Sequence, residues 1–193
     1  MDPDLDRELL DRWRSGDRAA GEALFARHFD SLCRFFVTKC PDPDELVQRT
    51  LLACVTAREQ FRGEASFRTY LFAIARHELY HHLRRLRRDG ERLDFSVTSV
   101  AELVTTPGTR LARQAEHRRV VEVLRTLPVE QQTLLELYYW EDLEIADLAT
   151  IFEASANAIR IRLHRARQAL RERLGSDAPL PEKTTKPPEP QAL

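Results

Sequence analysis

Residues 77 to 81 read His77-Glu78-Leu79-Tyr80-His81. This spacing sets two imidazoles one helical turn apart with a carboxylate between them, the HExxH arrangement in which two His bind zinc and Glu activates water. A hydrolase of that kind needs a third protein ligand. The positions that would supply Gly and His in the longer form of the motif hold Arg84 and Arg87, and a glutamate-type third ligand, Glu102, lies outside the regular helical pattern with Thr106 where Asp is usual. A dication beside the arginines that follow would also be electrostatically poor. Cys33, Cys40 and Cys54 are odd in number and show no CxxC pairing, so they read as buried thiols and not as a disulfide or zinc framework. The sequence therefore supports no catalytic residue, metal or cofactor, and a zinc hydrolase is the remote alternative.

The chemistry that remains is electrostatic. The 193-residue chain has a formal net charge of −1, but that total hides a strong asymmetry. Arg76 to Arg92 holds six Arg against three acids, and Arg160 to Arg173 holds six Arg against one. Between them, Pro128 to Glu153 carries seven acids and neither Lys nor Arg. Two arginine-rich ends predict polyanion contacts at two places, and the acidic stretch calls for a different partner.

The elements that must carry these charges are helices. Pro and Gly fall at segment ends, and Leu, Ala, Arg and Glu fill the interiors. Residues 5 to 37 read as two helices broken near Ser15-Gly16-Asp17, with Leu9, Leu10 and Trp13 inward on the first and Leu24, Phe25, Phe29, Leu32 and Phe36 on the second. Asp42, Pro43 and Glu45 predict a proline-led capping box opening a helix to about Phe61. That helix buries Leu46, Thr50, Ala53, Cys54 and Ala57 and turns Gln48, Leu52 and Val55 outward, as on a docking face. Ser66 can cap a helix from Phe67 to about Arg88. Residues 89–110 lose periodicity and read as a connector, with Phe95 to Val100 extended.

Beyond the connector, helices are expected over 111–126, Pro128 to Tyr139 and Leu143 to Phe152. Ser155 caps a last helix burying Ile159, Leu163, Ala166 and Leu170. The three-residue turn between the last two fits a helix-turn-helix, whose second helix enters the major groove. Opposite the buried seam lie Asn157, Ile161, His164 and Gln168, flanked by Arg160, Arg165 and Arg171. Arg can take guanine or phosphate, Asn can pair with adenine, and Ile161 can lie against a thymine methyl. Five of the ten prolines fall in the last fifteen residues, so 175–193 reads as a disordered Pro-rich tail. The expected fold is all-α: two small helical domains, 1–88 and 111–174, joined by a flexible linker at 89–110, the C-terminal one with a helix-turn-helix. No apolar run approaches a bilayer span and the acidic start lacks a signal peptide, which predicts a cytoplasmic protein with no membrane insertion.

Three segments resemble the extracytoplasmic-function (ECF) sigma factors, the two-domain members of the bacterial sigma family. Asp44-Glu45-Leu46-Val47-Gln48 is similar to their polymerase-docking segment. FRGEASFRTYLFAIARHELYHHLRRLRR, residues 61–88, is similar to the segment that opens and reads the −10 promoter element. LPVEQQTLLELYYWEDLEIADLATIF followed by SANAIRIRLHRARQALRERL is similar to the domain that reads the −35 element. The resemblance implies a sigma factor that directs core RNA polymerase to promoters and helps melt the −10 element. It implies docking on the coiled coil of the largest subunit through Asp44, Glu45, Gln48, Arg49, Leu52 and Val55. It also implies −10 contacts by Arg76, His77, His81, Arg84, Arg85, Arg87 and Arg88, and −35 contacts by Asn157, Arg160, Ile161, His164 and Arg165. An anti-sigma factor that wedges between the domains is implied too. Arg49 stands where the family commonly has Glu, His81 where Asp or Glu is common, and Glu153 where the turn usually has Gly. A stand-alone helix-turn-helix regulator is the alternative.

Overall fold

The computed structural model describes residues 3–57, 61, 63, 65–86, 93–104, 115–175 and 183, with side chains left undescribed at 115–118. The first expected helix pair is α1 (Pro3–Arg14) and α2 (Arg18–Val37). Gly16 turns the chain at φ +102, and the Asp17 side chain accepts from the Ala20 N–H at 3.1 Å to start α2. Trp13 lies over Gly21, where any Cβ would come within 2.7 Å of its Nε1. Leu24, Leu32 and Phe36 are fully buried as the periodicity predicts, whereas Phe29 is 46% exposed. Its expected place on the inner face is taken by His28, whose Nε2 bonds Asp6 of α1 at 2.8 Å.

Helix α3 (Pro43–Thr56) buries Leu46, Thr50 and Cys54. Asp42 stands at its N-cap without a side-chain cap bond, so the expected capping box does not form. The helix ends before Phe61, which leaves it to pack against Tyr70 with ring centroids 4.6 Å apart. Ser66 accepts from the Thr69 N–H at 3.0 Å and opens α4 (Phe67–Leu86). Helices α1 to α4 pack as one group.

The described part of the connector is ordered. Phe95 to Val97 form a turn, not an extended run, and Ser99 caps the one-turn α5 (Val100–Leu103) through a capping box with Glu102. Ser99 also bridges Pro128, while Thr98 and Phe95 carbonyls accept from Val129 and Glu130 N–H groups at 2.9 and 3.0 Å. These bonds satisfy backbone groups at the start of a helix, which is why the segment folds here. Leu93, Phe95, Val100 and Val104 are buried.

The second group comprises α6 (Ala115–Thr126), α7 (Val129–Tyr139), α8 (Ile145–Ile151) and α9 (Ala156–Leu174). Ser155 accepts from the Ala158 N–H at 3.2 Å, and Ile159, Leu163, Ala166 and Leu170 are all buried. The groups share one continuous core, and α4 packs on α8.

Candidate nucleic-acid interface

Helices α8 and α9 form the expected helix-turn-helix. Their turn passes through Glu153, held in the left-handed region at φ 51, and closes with the Ala154 N–H on the Ala149 carbonyl at 3.0 Å. On α9, Asn157, Arg160, Ile161, His164 and Arg165 are all exposed, and Ile161 keeps 46% of its surface. An isoleucine set among arginines on an open helix face suits a groove floor lined by methyl groups and acceptors. Arg162 turns aside to pair with Glu130 at 2.6 Å, and Arg167 stacks over Tyr138 with 4.8 Å to the ring centroid. Those two arginines are engaged by other side chains of the protein.

The first basic surface lies along α4. His77, His81, Arg84 and Arg85 are exposed, while Arg87 and Arg88 lie outside the described residues. Arg84 covers the Phe95 ring at 5.2 Å, and Phe95 stacks on Tyr80 at 4.3 Å. Arg76 behaves differently from the rest. Its guanidinium stacks over Tyr80 and Phe152, 4.6 and 4.9 Å from the centroids, and donates to the Ile151 carbonyl at 3.2 Å. Burial pushes the Tyr80 hydroxyl up, with Arg76 opposing.

Arg49, expected on the docking face alone, also reaches the other surface. It sits on α3 but reaches α4, pairing with Glu78 at 2.8 Å and lying 3.2 Å from Nδ1 of His81. Arg49 and His81, singled out in the sequence, thus touch each other. They also place a guanidinium between the carboxylate and one imidazole of the HExxH sequence, and no group of three or more potential metal ligands occurs among the described residues. Asp44, Glu45, Gln48, Leu52 and Val55 remain exposed on α3. Leu52, 66% exposed, borders a groove of about 420 Å³ lined by Arg49, Ala53, Thr56, Ala57 and Glu78.

The sequence reading missed a third cluster, the seam between the two helix groups. Glu136 of α7 receives the Lys39 ammonium, the Thr38 hydroxyl at 3.1 Å and the Gln132 amide at 2.8 Å. Lys39 is 0% exposed; burial pushes its ammonium down and Glu136 pulls it back. Glu141 pairs with Arg68 at 2.7 Å and Arg34 at 3.5 Å, and Asp147 accepts from the Thr69 hydroxyl at 2.7 Å. The signal was present in the acid-only stretch 128–153, whose partner is the basic flank of the chain's own first half.

Family comparisons match the Sigma-70 region 2 description to residues 24–89 and the Sigma-70 region 4 description to residues 117–170. The ECF RNA polymerase sigma factor SigF of Caulobacter vibrioides is 30% identical over 173 residues, covering 87% of this chain and 93% of the relative. The chain belongs to the ECF sigma factor family. The ECF RNA polymerase sigma-E factor of Haemophilus influenzae is 28% identical over 182 residues, 88% of this sigma factor and 95% of that one. Among solved structures, CnrH in complex with the cytosolic domain of CnrY aligns at TM-score 0.65 and 26% identity, covering 90% of this chain and 99% of CnrH. The sigma factor RpoE of Bartonella quintana, solved with the anti-sigma factor NepR, shares the fold at TM-score 0.63 and 20% identity, over 81% of this chain and 98% of that one.

Proposed function

We infer that this ECF sigma factor brings core RNA polymerase to promoters through three surfaces divided between residues 1–88 and 111–174. The reading is carried by one observation: the α9 face bearing Asn157, Arg160, Ile161, His164 and Arg165 stays open while the opposite face of the same helix is sealed into the core. That is the arrangement a groove-reading helix requires. The −35 element would be read there as duplex, with Arg160 and Arg165 on guanine or phosphate and Asn157 on adenine.

The exposed edge of α4, with His77, His81, Arg84 and Arg85, would hold the melted −10 strand, and Arg87 and Arg88 would extend it. Holding an unstacked base takes planar groups and cations, which this edge supplies. Asp44, Glu45, Gln48, Leu52 and Val55 would dock on the coiled coil of the largest polymerase subunit. Arg49, tied to Glu78, would link that docking face to the strand-holding face. No catalytic residue is assigned; the polymerase supplies the chemistry, in the cytoplasm. No helix among the described residues is long and apolar enough to cross a membrane. An anti-sigma factor is the expected regulator.

Transcription in vitro with core polymerase and a genomic promoter library tests this reading. Initiation at a defined promoter set that depends on the added protein is the expected result. Tight sequence-specific binding to duplex DNA with no affinity for core polymerase would replace it with a stand-alone regulator.

A further inference from the structure

The contact between Arg49 and His81 has only one possible direction of bonding. Arg49 Nη2 lies 3.2 Å from Nδ1 of His81. A guanidinium carries donors and no acceptor, so Nδ1 must be the bare, accepting nitrogen of the ring. An imidazole in that form keeps its proton on Nε2. His81 is exposed, and Nε2 makes no hydrogen bond among the described residues. The ring therefore turns a free N–H outward from α4.

Arg49 can hold the ring this way because its own charge is already met. Its Nη2 pairs with Glu78 at 2.8 Å and its Nη1 faces Glu45 at 3.7 Å. Turning the imidazole over, or moving its proton to Nδ1, would forfeit the bond from Arg49 and leave donors facing donors. His77, Arg84 and Arg85 stand one helical turn from His81 on the same exposed side of α4. Arginines there can take phosphates, which position a strand, while His81 meets the base edges that specify it.

We propose that His81 selects a keto base at one position of the melted −10 strand through its Nε2–H, and that Arg49 is the positioning residue that keeps this group a donor. Guanine and thymine present the acceptors O6 and O4 where adenine and cytosine present an amino group. A lone outward donor finds its partner on the first pair and a second donor on the other. One hydrogen bond gained or lost in this way corresponds to about a fivefold preference.

The inference rests on the reading of α4 as the −10 surface. The test uses holoenzyme assembled from core polymerase and the full chain, transcribing in vitro from a promoter library in which each −10 base is varied in turn. Every protein is scored as a ratio between bases, so that a change in polymerase docking cancels. Wild type should favour guanine or thymine about fivefold at one position. His81→Asp, which offers only acceptors, should favour adenine or cytosine at that position and leave the others unchanged. Arg49→Met should weaken the wild-type preference there, and Arg49→Lys, again a donor only, should keep it. If His81→Asp holoenzyme does not initiate, His81→Gln decides, because an amide both donates and accepts and should erase the preference.

A base profile that no His81 substitution alters would overturn His81 as a reader. An Arg49→Met profile identical to wild type would overturn Arg49 as its positioning residue. Wild-type chain that supports no initiation with core polymerase would instead defeat the sigma-factor reading, and the base selection with it. Nitrogen NMR of the His81 ring in the free chain, in mildly alkaline solution, is independent of that reading. It should find Nε2 protonated and Nδ1 bare in wild type, with a larger share of the other form in Arg49→Met. Equal shares in the two proteins would overturn the hold of Arg49 on the ring.

Discussion

Lys39 and Glu136 lie 97 residues apart in sequence, and their charges meet with both side chains sealed from water. Neither charge could be buried alone. The carboxylate also accepts from Thr38 and Gln132, and the ammonium also donates to the Phe35 carbonyl at 2.6 Å, so the pair is satisfied on both sides.

A pair of this kind is costly to break and cheap to replace. Lys39→Met or Glu136→Leu alone should destabilise the chain by about 3–5 kcal/mol, whereas the double substitution should cost little or stabilise. Urea unfolding of the three variants measures this. Losses that simply add would mean that the two charges do not depend on each other.

Gly21 sets a sign that helix propensity alone would get wrong. Gly to Ala inside a helix ordinarily stabilises by about 0.5–1 kcal/mol. Here the added methyl would come within 2.7 Å of Trp13 Nε1, so Gly21→Ala should destabilise by about 1–3 kcal/mol through overpacking. A raised midpoint in thermal unfolding would show that Trp13 moves freely.

Glu153 offers the converse. At φ 51 it occupies a conformation that penalises residues with a Cβ. Glu153→Gly should stabilise the helix-turn-helix by about 1 kcal/mol, and Glu153→Ala should not. Equal melting behaviour of the two variants would remove backbone strain as the cause.

His28 gives the fold an acid limit. Burial lowers its pKa from 6.5, with Asp6 opposing. The unfolded chain therefore takes up this proton more readily than the folded one. The contribution is complete above pH 6.5 and is lost as pH falls from there through the lowered folded value. Stability followed from pH 8 down to about 5 should decline more steeply in wild type than in His28→Gln. Parallel profiles would place the loss on other groups.

The two basic surfaces should fail differently. Replacing Arg84, Arg85, Arg87 and Arg88 with Ala should weaken open-complex formation at every promoter. Arg160→Ala should cost about 1–3 kcal/mol and relax the preference at one −35 position. Footprinting across a promoter panel separates the two, and uniform loss from both changes would undo the division of labour.

Much of this was legible from local pattern. Ser66 and Ser155 marked helix starts because a hydroxyl before an apolar run has a specific backbone partner, and the 4-3-4 spacing on α9 named its buried residues. The open α9 face followed by elimination. Phe29 was misplaced because an apolar residue at helical spacing looks like core, while the inward position went to a histidine with a carboxylate partner on α1. The seam stayed invisible because Lys39, Glu136, Arg68 and Glu141 pair across long sequence distances that no periodicity encodes. The same holds for the connector, whose order comes from bonds to Val129 and Glu130 and not from its own alternation.

The thiols need no separate role. Burial raises Cys33 to about 11 and Cys40 and Cys54 to about 12, so almost no thiolate forms near neutrality.

The folded connector also works as a tie. Phe95 rests its ring on Tyr80 of α4 while its carbonyl accepts from the Glu130 N–H of α7 at 3.0 Å. One residue thus fastens both helix groups, by an apolar face and by a backbone bond. Sliding one group past the other would have to wet that ring and leave that carbonyl without its donor.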